Sequence, residues 1–303
     1  MGSDLETAVG RLRLRNPTIL AAGILGLTGP SLLRVWNAGA GAVVSKSVSR
    51  EPSEGYPGPT VVQTPSGLLN AMGLPNPGVE DILGEFREAK KGGATVIASV
   101  FGGDGEEFAS VAREVEKAKV DAVELNLSCP HLETLSIIGH DPDLVGGVVE
   151  RTKEEVKIPV WAKLPGNTHI QNLVEVAKAA EAAGADALTV SNTYPAMAID
   201  LETGKTILGH GGGGLSGPAI KPISVRLVYE VYEAVRIPVI GSGGVVTSED
   251  AVEYLMAGAS AVQIGTGIME RGLGVFEEVC SGIRSFMKER GFGKISEIIG
   301  LSH

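Results

Sequence analysis

Eight times along this chain a short apolar run rich in β-branched residues ends in small or polar residues and leads into an amphipathic segment. The runs are 17–23 (PTILAAG), 41–48 (GAVVSKSV), 94–101 (ATVIASVF), 121–128 (DAVELNLS), 158–164 (IPVWAKL), 186–192 (DALTVSN), 237–243 (IPVIGSG) and 260–267 (SAVQIGTG). Most are near-continuously apolar, as strands buried on both faces are. Between them, 79–93 and 169–185 carry apolar residues at spacings of three and four, the mark of a helix with one buried face. Ser248-Glu249-Asp250 opens another helix with capping chemistry and early acidic residues. Gly93, Gly184 and Gly258 each stand between a helix and a strand, where a left-handed C-terminal cap is expected. Pro159 and Pro238 stand at strand entries, where no ladder bond is lost.

Eight β-then-α units predict an α/β fold, a (β/α)8 TIM barrel; a doubly wound open sheet is the alternative, but it usually uses fewer strands. Two βα loops, 49–78 after strand 2 and 193–221 after strand 6, are longer than barrel turns need and fall on the C-terminal face, where barrels carry function. Residues 5–17 alternate in polarity and predict an N-terminal hairpin plugging the opposite end. No linker is visible, so 1–303 is read as a single domain.

The 303 residues, 43% hydrophobic with mean hydropathy +0.17, supply enough apolar material for one large core. Lys and Arg total 26 against 36 Asp and Glu, for a net charge of -10 and a pI of about 5.1. That balance argues against nucleic acid as a partner, while leaving room for small anions at a locally positive site. The 2 cysteines hold neither a disulfide scaffold nor an iron-sulfur cluster unaided, and suit a reducing compartment. The first residues lack the apolar core of a leader, and no run approaches the roughly 20 apolar residues that span a bilayer. The expectation is a soluble, cytoplasmic protein without a membrane partner.

The strand ends carry the chemistry. In order they are Ala22-Gly23, Lys46-Ser47, Ser99, Asn126 with Ser128-Cys129, Lys163, Asn192-Thr193, Gly243-Gly244 and Gly265-Thr266. A lysine at the end of an apolar strand is costly unless paired. Lys46 and Lys163 converging on one mouth therefore imply an anionic or electron-rich ligand. The glycines of strands 7 and 8 stand where barrels bind phosphate through backbone N–H groups, although each alone fits a tight turn. Residues 209–222 are also Gly-rich and fit a flexible lid. Asn126 and Asn192 end buried strands, and an amide there needs partners that a ligand with C=O and N–H groups supplies. Buried cysteines commonly act as small hydrophobes, and Cys280, in a helical pattern, is read so. Cys129 differs by its place at the mouth, which favours chemistry. His131 fits a base, a ligand contact or a turn residue equally. No trio of His and carboxylates has metal-site spacing.

Together these residues resemble the dihydroorotate dehydrogenases, FMN barrels of pyrimidine biosynthesis. The carrying motifs are SKS (45–47), NAMGLPNPG (70–78), ELNLSCP (124–130), AKL (162–164), GGLSGPAIKP (213–222), GSGGV (241–245) and QIGTG (263–267). The resemblance implies oxidation of (S)-dihydroorotate to orotate, with Cys129 as the base at C5 and hydride passing from C6 to one FMN per chain. It implies FMN contacts at Ala22, Lys46, Ser47, Ser99, Asn126, Lys163, Ser191, Gly217, Gly243, Gly244, Gly265 and Thr266. It implies substrate contacts at Lys46, Asn70, Ala71, Met72, Gly73, Leu74, Asn126, His131, Asn192 and Thr193, and places Lys163 beside the reducible ring as a second catalytic residue. The motifs resemble class 1B, whose catalytic chains pair with an electron-transfer subunit carrying FAD and a 2Fe-2S cluster and pass electrons to NAD+, as homodimers or heterotetramers.

The chain departs from the family pattern at three places. Members often have Ser at Ala22 and Asn at Ser99, and usually have Asn at His131. The CPH sequence is similar to the pyrimidine-reducing domain of dihydropyrimidine dehydrogenase, so a flavoenzyme acting on uracil or thymine is the alternative. From another class, a flavin-free phosphate-binding lyase or isomerase with a Schiff base at Lys163 also fits the strand ends.

Overall fold

The computed structural model describes residues 4–127 and 133–303. Eight strands close into a parallel barrel in chain order: β3 (Thr18–Leu20), β4 (Ala42–Val44), β7 (Val96–Val100), β8 (Ala122–Asn126), β9 (Val160–Lys163), β10 (Ala187–Val190), β13 (Val239–Ser242) and β14 (Ala259–Ile264), which pairs back onto β3. Seven fall within their predicted runs, and β14 starts one residue before the run at 260–267. Helices lie between successive strands, including Val79–Lys91 and Ile170–Ala182 where the periodicity placed them. Gly93, Gly184 and Gly258 take φ of 86°, 92° and 108°, the left-handed turn expected between helix and strand. The helix Ser248–Met256 begins one residue earlier in its capping than expected. The cap is Thr247, whose hydroxyl accepts from the Asp250 N–H while the Asp250 carboxylate accepts from the Thr247 N–H.

β1 (Thr7–Val9) and β2 (Leu12–Leu14) form the antiparallel hairpin that the alternation predicted. It closes the N-terminal end of the barrel. The Thr7 hydroxyl donates to the Ser260 carbonyl at 2.8 Å, and Gly10 turns at φ 58° where a Cβ would lie 3.0 Å from the Asp186 carbonyl oxygen. Val9 and Leu14 join one buried cluster with Ile19, Ala42, Val44, Ile97, Ala122, Trp161, Ala187, Ile240 and Ala261, the apolar floor of the barrel.

Side chains on a strand return to the same face every second residue. Two residues beyond that floor the composition changes: Lys46, Ser99, Glu124, Lys163, Thr189, Ser242 and Gln263 follow Val44, Ile97, Ala122, Trp161, Ala187, Ile240 and Ala261. The barrel interior therefore runs from an apolar, plugged end to a polar end at the C-terminal mouth.

The two long loops do not stay irregular. β5 (Val61–Thr64) and β6 (Gly67–Asn70) from the first pair with β11 (Tyr194–Ala196) and β12 (Gly213–Ser216) from the second, in a four-stranded antiparallel sheet ordered β11-β12-β6-β5. The Gly-rich segment read as a flexible lid contributes a strand of this sheet. Glycine is required there, because a Cβ on Gly214 would lie 2.1 Å from the Thr193 hydroxyl and one on Gly213 2.6 Å from the Asn70 carbonyl oxygen.

Candidate functional site

The strand ends and the small sheet enclose a cavity of about 350 Å³ at the C-terminal mouth. Among its walls are Ala22, Lys46, Ser47, Asn70, Met72, Gly73, Leu74, Asn126, Lys163, Ser191, Asn192, Thr193, Gly217, Gly243, Gly244, Gly265 and Thr266, so residues from across the whole chain meet in one place. Two residues expected there sit behind the wall. Ser99 is fully buried, with its hydroxyl 2.9 Å from that of Ser47, and so supports Ser47 rather than facing the cavity. Ala71 packs with Leu69 and Leu208 in the core of the small sheet. Cys129 and His131 lie outside the described residues.

The amides are held in fixed orientations. The Asn126 amide donates to the Ser47 hydroxyl at 3.1 Å and accepts from the Asn192 amide at 3.1 Å; Asn192 in turn accepts from the Thr193 N–H at 2.8 Å. Asn70 donates to the Gly214 carbonyl at 3.0 Å, tying the loop after β4 to the loop after β10. Asn126 and Asn192 engage both the nitrogen and the oxygen of their amides in this way, and Asn70 engages its nitrogen, so each amide is set in one orientation at the cavity wall. That arrangement suits a ring bearing C=O and N–H groups.

The two lysines differ. Lys46 is 9% exposed, and among the described residues no carboxylate pairs with it. Burial pushes its amine below the ordinary lysine value. A cation held in this way gains most from an anionic ligand. Lys163, 7% exposed, has partners: its ammonium donates to the Gln263 side-chain oxygen at 3.3 Å and lies 3.8 Å from a Glu124 oxygen. The sequence reading passed over Glu124, Thr189 and Gln263. A carboxylate in the middle of an apolar strand was the available signal.

The turns after β13 and β14 form the third part. Gly243 and Gly244 take φ of 133° and 69°, and a Cβ on either would lie 2.5 Å from the Ser224 hydroxyl or 2.7 Å from the Gly217 carbonyl oxygen. Gly217 itself turns at φ 97° with a Cβ position 2.6 Å from Gly67. Only glycine fits this close approach of three loops, and it leaves backbone at the cavity wall, a surface of the kind that suits an anion. Lys221, beside the turn, is engaged by Asp250 at 2.8 Å and Glu253 at 2.7 Å. Thr266 donates its hydroxyl to Ser216 at 2.7 Å, joining β14 to the small sheet.

Among the described residues no group of His, Cys, Asp and Glu is placed to hold a metal ion, and no helix is long and apolar enough to cross a membrane.

The sequence model of the family described as dihydroorotate dehydrogenase matches residues 4–287. Similar curated proteins carry the name dihydroorotate dehydrogenase B (NAD(+)), catalytic subunit. One from Methanosarcina mazei is 50% identical over 295 residues, covering 96% of this chain and 93% of its own. One from Methanothermobacter thermautotrophicus is 48% identical over 302 residues, covering 99% and 98%. One from Pyrococcus horikoshii is 48% identical over 299 residues, covering 98% and 97%.

Proposed function

This chain belongs to the dihydroorotate dehydrogenase family, and on that premise we propose that it oxidises (S)-dihydroorotate to orotate in pyrimidine biosynthesis, with the whole chain, 1–303, serving as one FMN-binding barrel domain. The observation that carries the substrate assignment is Lys46, a buried cation without a carboxylate partner among the described residues, beside the amides of Asn70, Asn126 and Asn192. Orotate offers a carboxylate to the first and ring C=O and N–H groups to the others. Uracil and thymine lack the carboxylate, so the unpaired charge favours dihydroorotate over them.

The cavity suits FMN. The glycine turns at 217, 243–244 and 265 form a cradle that any Cβ at 217, 243 or 244 would obstruct, which fits a phosphate held by backbone N–H groups. Lys163, with Ser47, Asn126 and Ser191, would hold the ring system. When bound, FMN supplies a two-electron acceptor for the hydride leaving C6. The residues of this chain do the rest. Lys46 and the amides hold the pyrimidine in one orientation. Cys129, which the family resemblance designates as the base, takes the C5 proton, and the C5–C6 bond becomes double. Lys163 sets a positive charge against the site where negative charge accumulates.

NAD+ fits as the final acceptor through a partner. With 2 cysteines the chain lacks the four thiolates of the cluster that such a relay uses. The FAD and 2Fe-2S cluster are therefore assigned to a separate electron-transfer subunit, in a cytoplasmic complex. The deciding experiment is the absorbance spectrum of the purified chain before and after anaerobic dihydroorotate, with dihydrouracil alongside. A flavin spectrum that bleaches with dihydroorotate alone is expected. A colourless protein that binds phosphate overturns the assignment in favour of a flavin-free barrel, and faster bleaching by dihydrouracil moves it to the uracil reading.

A further inference from the structure

Glu124 is fully enclosed, on β8, inside the barrel. Isolated burial of a carboxylate costs several kcal/mol, so its surroundings must return that cost. One oxygen is satisfied: it accepts from the Thr189 hydroxyl at 2.8 Å and from the Gln263 amide at 2.5 Å. The other makes no hydrogen bond and lies 3.8 Å from the Lys163 ammonium. Gln263 is on β14, four strands from β8 in an eight-stranded barrel, so the bridge spans the full diameter. Both ends of the Gln263 amide are engaged: its nitrogen donates to Glu124 and its oxygen accepts from Lys163. Three of the four members, Glu124, Lys163 and Thr189, come from three adjacent strands. Lys163 and Gln263 line the cavity, whereas Glu124 and Thr189 lie beneath it.

We propose that Glu124 is a positioning residue: the buried counter-charge that holds Lys163 at the cavity floor and sets how much of its positive charge reaches the flavin. The geometry favours this over simple packing. An oxygen that faces the ammonium at charge-contact distance, without a hydrogen bond, attracts the lysine but does not take up its N–H groups. Those N–H groups stay directed by Gln263 and available at the cavity. At a spacing of this size in a poorly solvated interior, the carboxylate cancels part of the lysine's field at any group bound above it. Removing the carboxylate's charge therefore makes the floor more positive and favours the reduced, anionic flavin.

The inference rests on the flavin reading above only in its second half, and the experiment separates the two. In the ligand-free chain, the thermal midpoints of Glu124→Gln, Lys163→Met and the double variant are compared with the parent. A charge pair predicts coupling: Lys163→Met strands a buried carboxylate, and adding Glu124→Gln to it raises the midpoint. A further fall, or simple additivity, overturns the pairing whether or not flavin is present, and this comparison survives even if Glu124→Gln alone does not fold. In the flavin-loaded protein, Glu124→Gln is expected to shift the flavin's reduction equilibrium about tenfold toward the reduced form, about 30 mV for a two-electron couple. Glu124→Asp, which keeps the charge, is expected to restore most of the parent value. An unchanged potential in Glu124→Gln overturns the field-setting role. A parent chain that takes up no flavin sinks the functional reading and leaves the midpoint test to judge the pair.

Discussion

Tyr254, on the helix that follows β13, donates its hydroxyl to the carbonyl of Gly243 at 2.6 Å, and its ring occupies the space a side chain on Gly241 would need. A Cβ on Gly241 would lie 2.4 Å from that ring. The glycine turn that lines the cavity is thus held from behind by one buried aromatic residue. Burial pushes the Tyr254 phenol up, so it remains a donor throughout the working range.

Tyr254→Phe is therefore expected to keep the fold and loosen the turn. Flavin should dissociate roughly fivefold faster, in line with the loss of a hydrogen bond worth about 1 kcal/mol. Flavin fluorescence on dilution measures this. Gly241→Ala should be more severe, lowering the thermal midpoint as well, because ring and Cβ cannot share the space.

Lys46→Met is expected to weaken orotate binding by roughly 10- to 100-fold, the range for a hydrogen bond to a charged group. The same change should stabilise the ligand-free chain. Because the amine sits below its ordinary value of 10.5, the cost of burying its charge is present in full at low pH. That cost is relieved as pH rises from the lowered value toward 10.5, so stability increases over that window. Orotate affinity runs the other way and declines as pH rises through the lowered value. Calorimetric titration and thermal melts across pH, parent against variant, check both signs; the variant should lose both slopes.

Cys129→Ala should retain flavin and reduce it slowly at neutral pH, by about 10²- to 10⁴-fold, as for loss of a general base. Stopped-flow bleaching with dihydroorotate gives the rate. Unchanged bleaching removes Cys129 from the mechanism.

Leu14→Ala tests the separation between the two ends of the barrel. Leu14 is buried within the apolar floor, so the change should cost about 2–5 kcal/mol of stability. The flavin spectrum and orotate affinity should stay at parent values, since the hairpin is a barrel's length from the mouth. A melt and a binding titration on the same sample suffice.

The barrel was legible in the sequence because its strands are buried on both faces and leave long apolar runs. The hairpin was legible for the opposite reason, its alternation. The small sheet was not, because Gly213–Ser216 has no strand propensity of its own and pairs with Leu68–Asn70, more than 140 residues earlier. What fixes it is tertiary contact. Lys46, Asn126 and Lys163 stood out as polar residues at strand ends. Glu124 did not, because its meaning depends on Thr189 and Gln263, brought to it only by closure of the barrel. Ser99 misled for a related reason: a strand-end position does not say whether a side chain meets the cavity or the residue beside it. The cap at Thr247 shows the same limit on a small scale, since Thr247 and Ser248 carry equivalent hydroxyls and only backbone geometry chooses.

Among the described residues, the hairpin and the apolar floor close one end of the barrel, and the cavity lies at the other. The packed floor bars passage of substrate and product through that end, so dihydroorotate enters and orotate leaves on the side of the small sheet. Traffic is then exclusive: a lingering product bars the next substrate, and how quickly the doorway clears sets an upper limit on turnover.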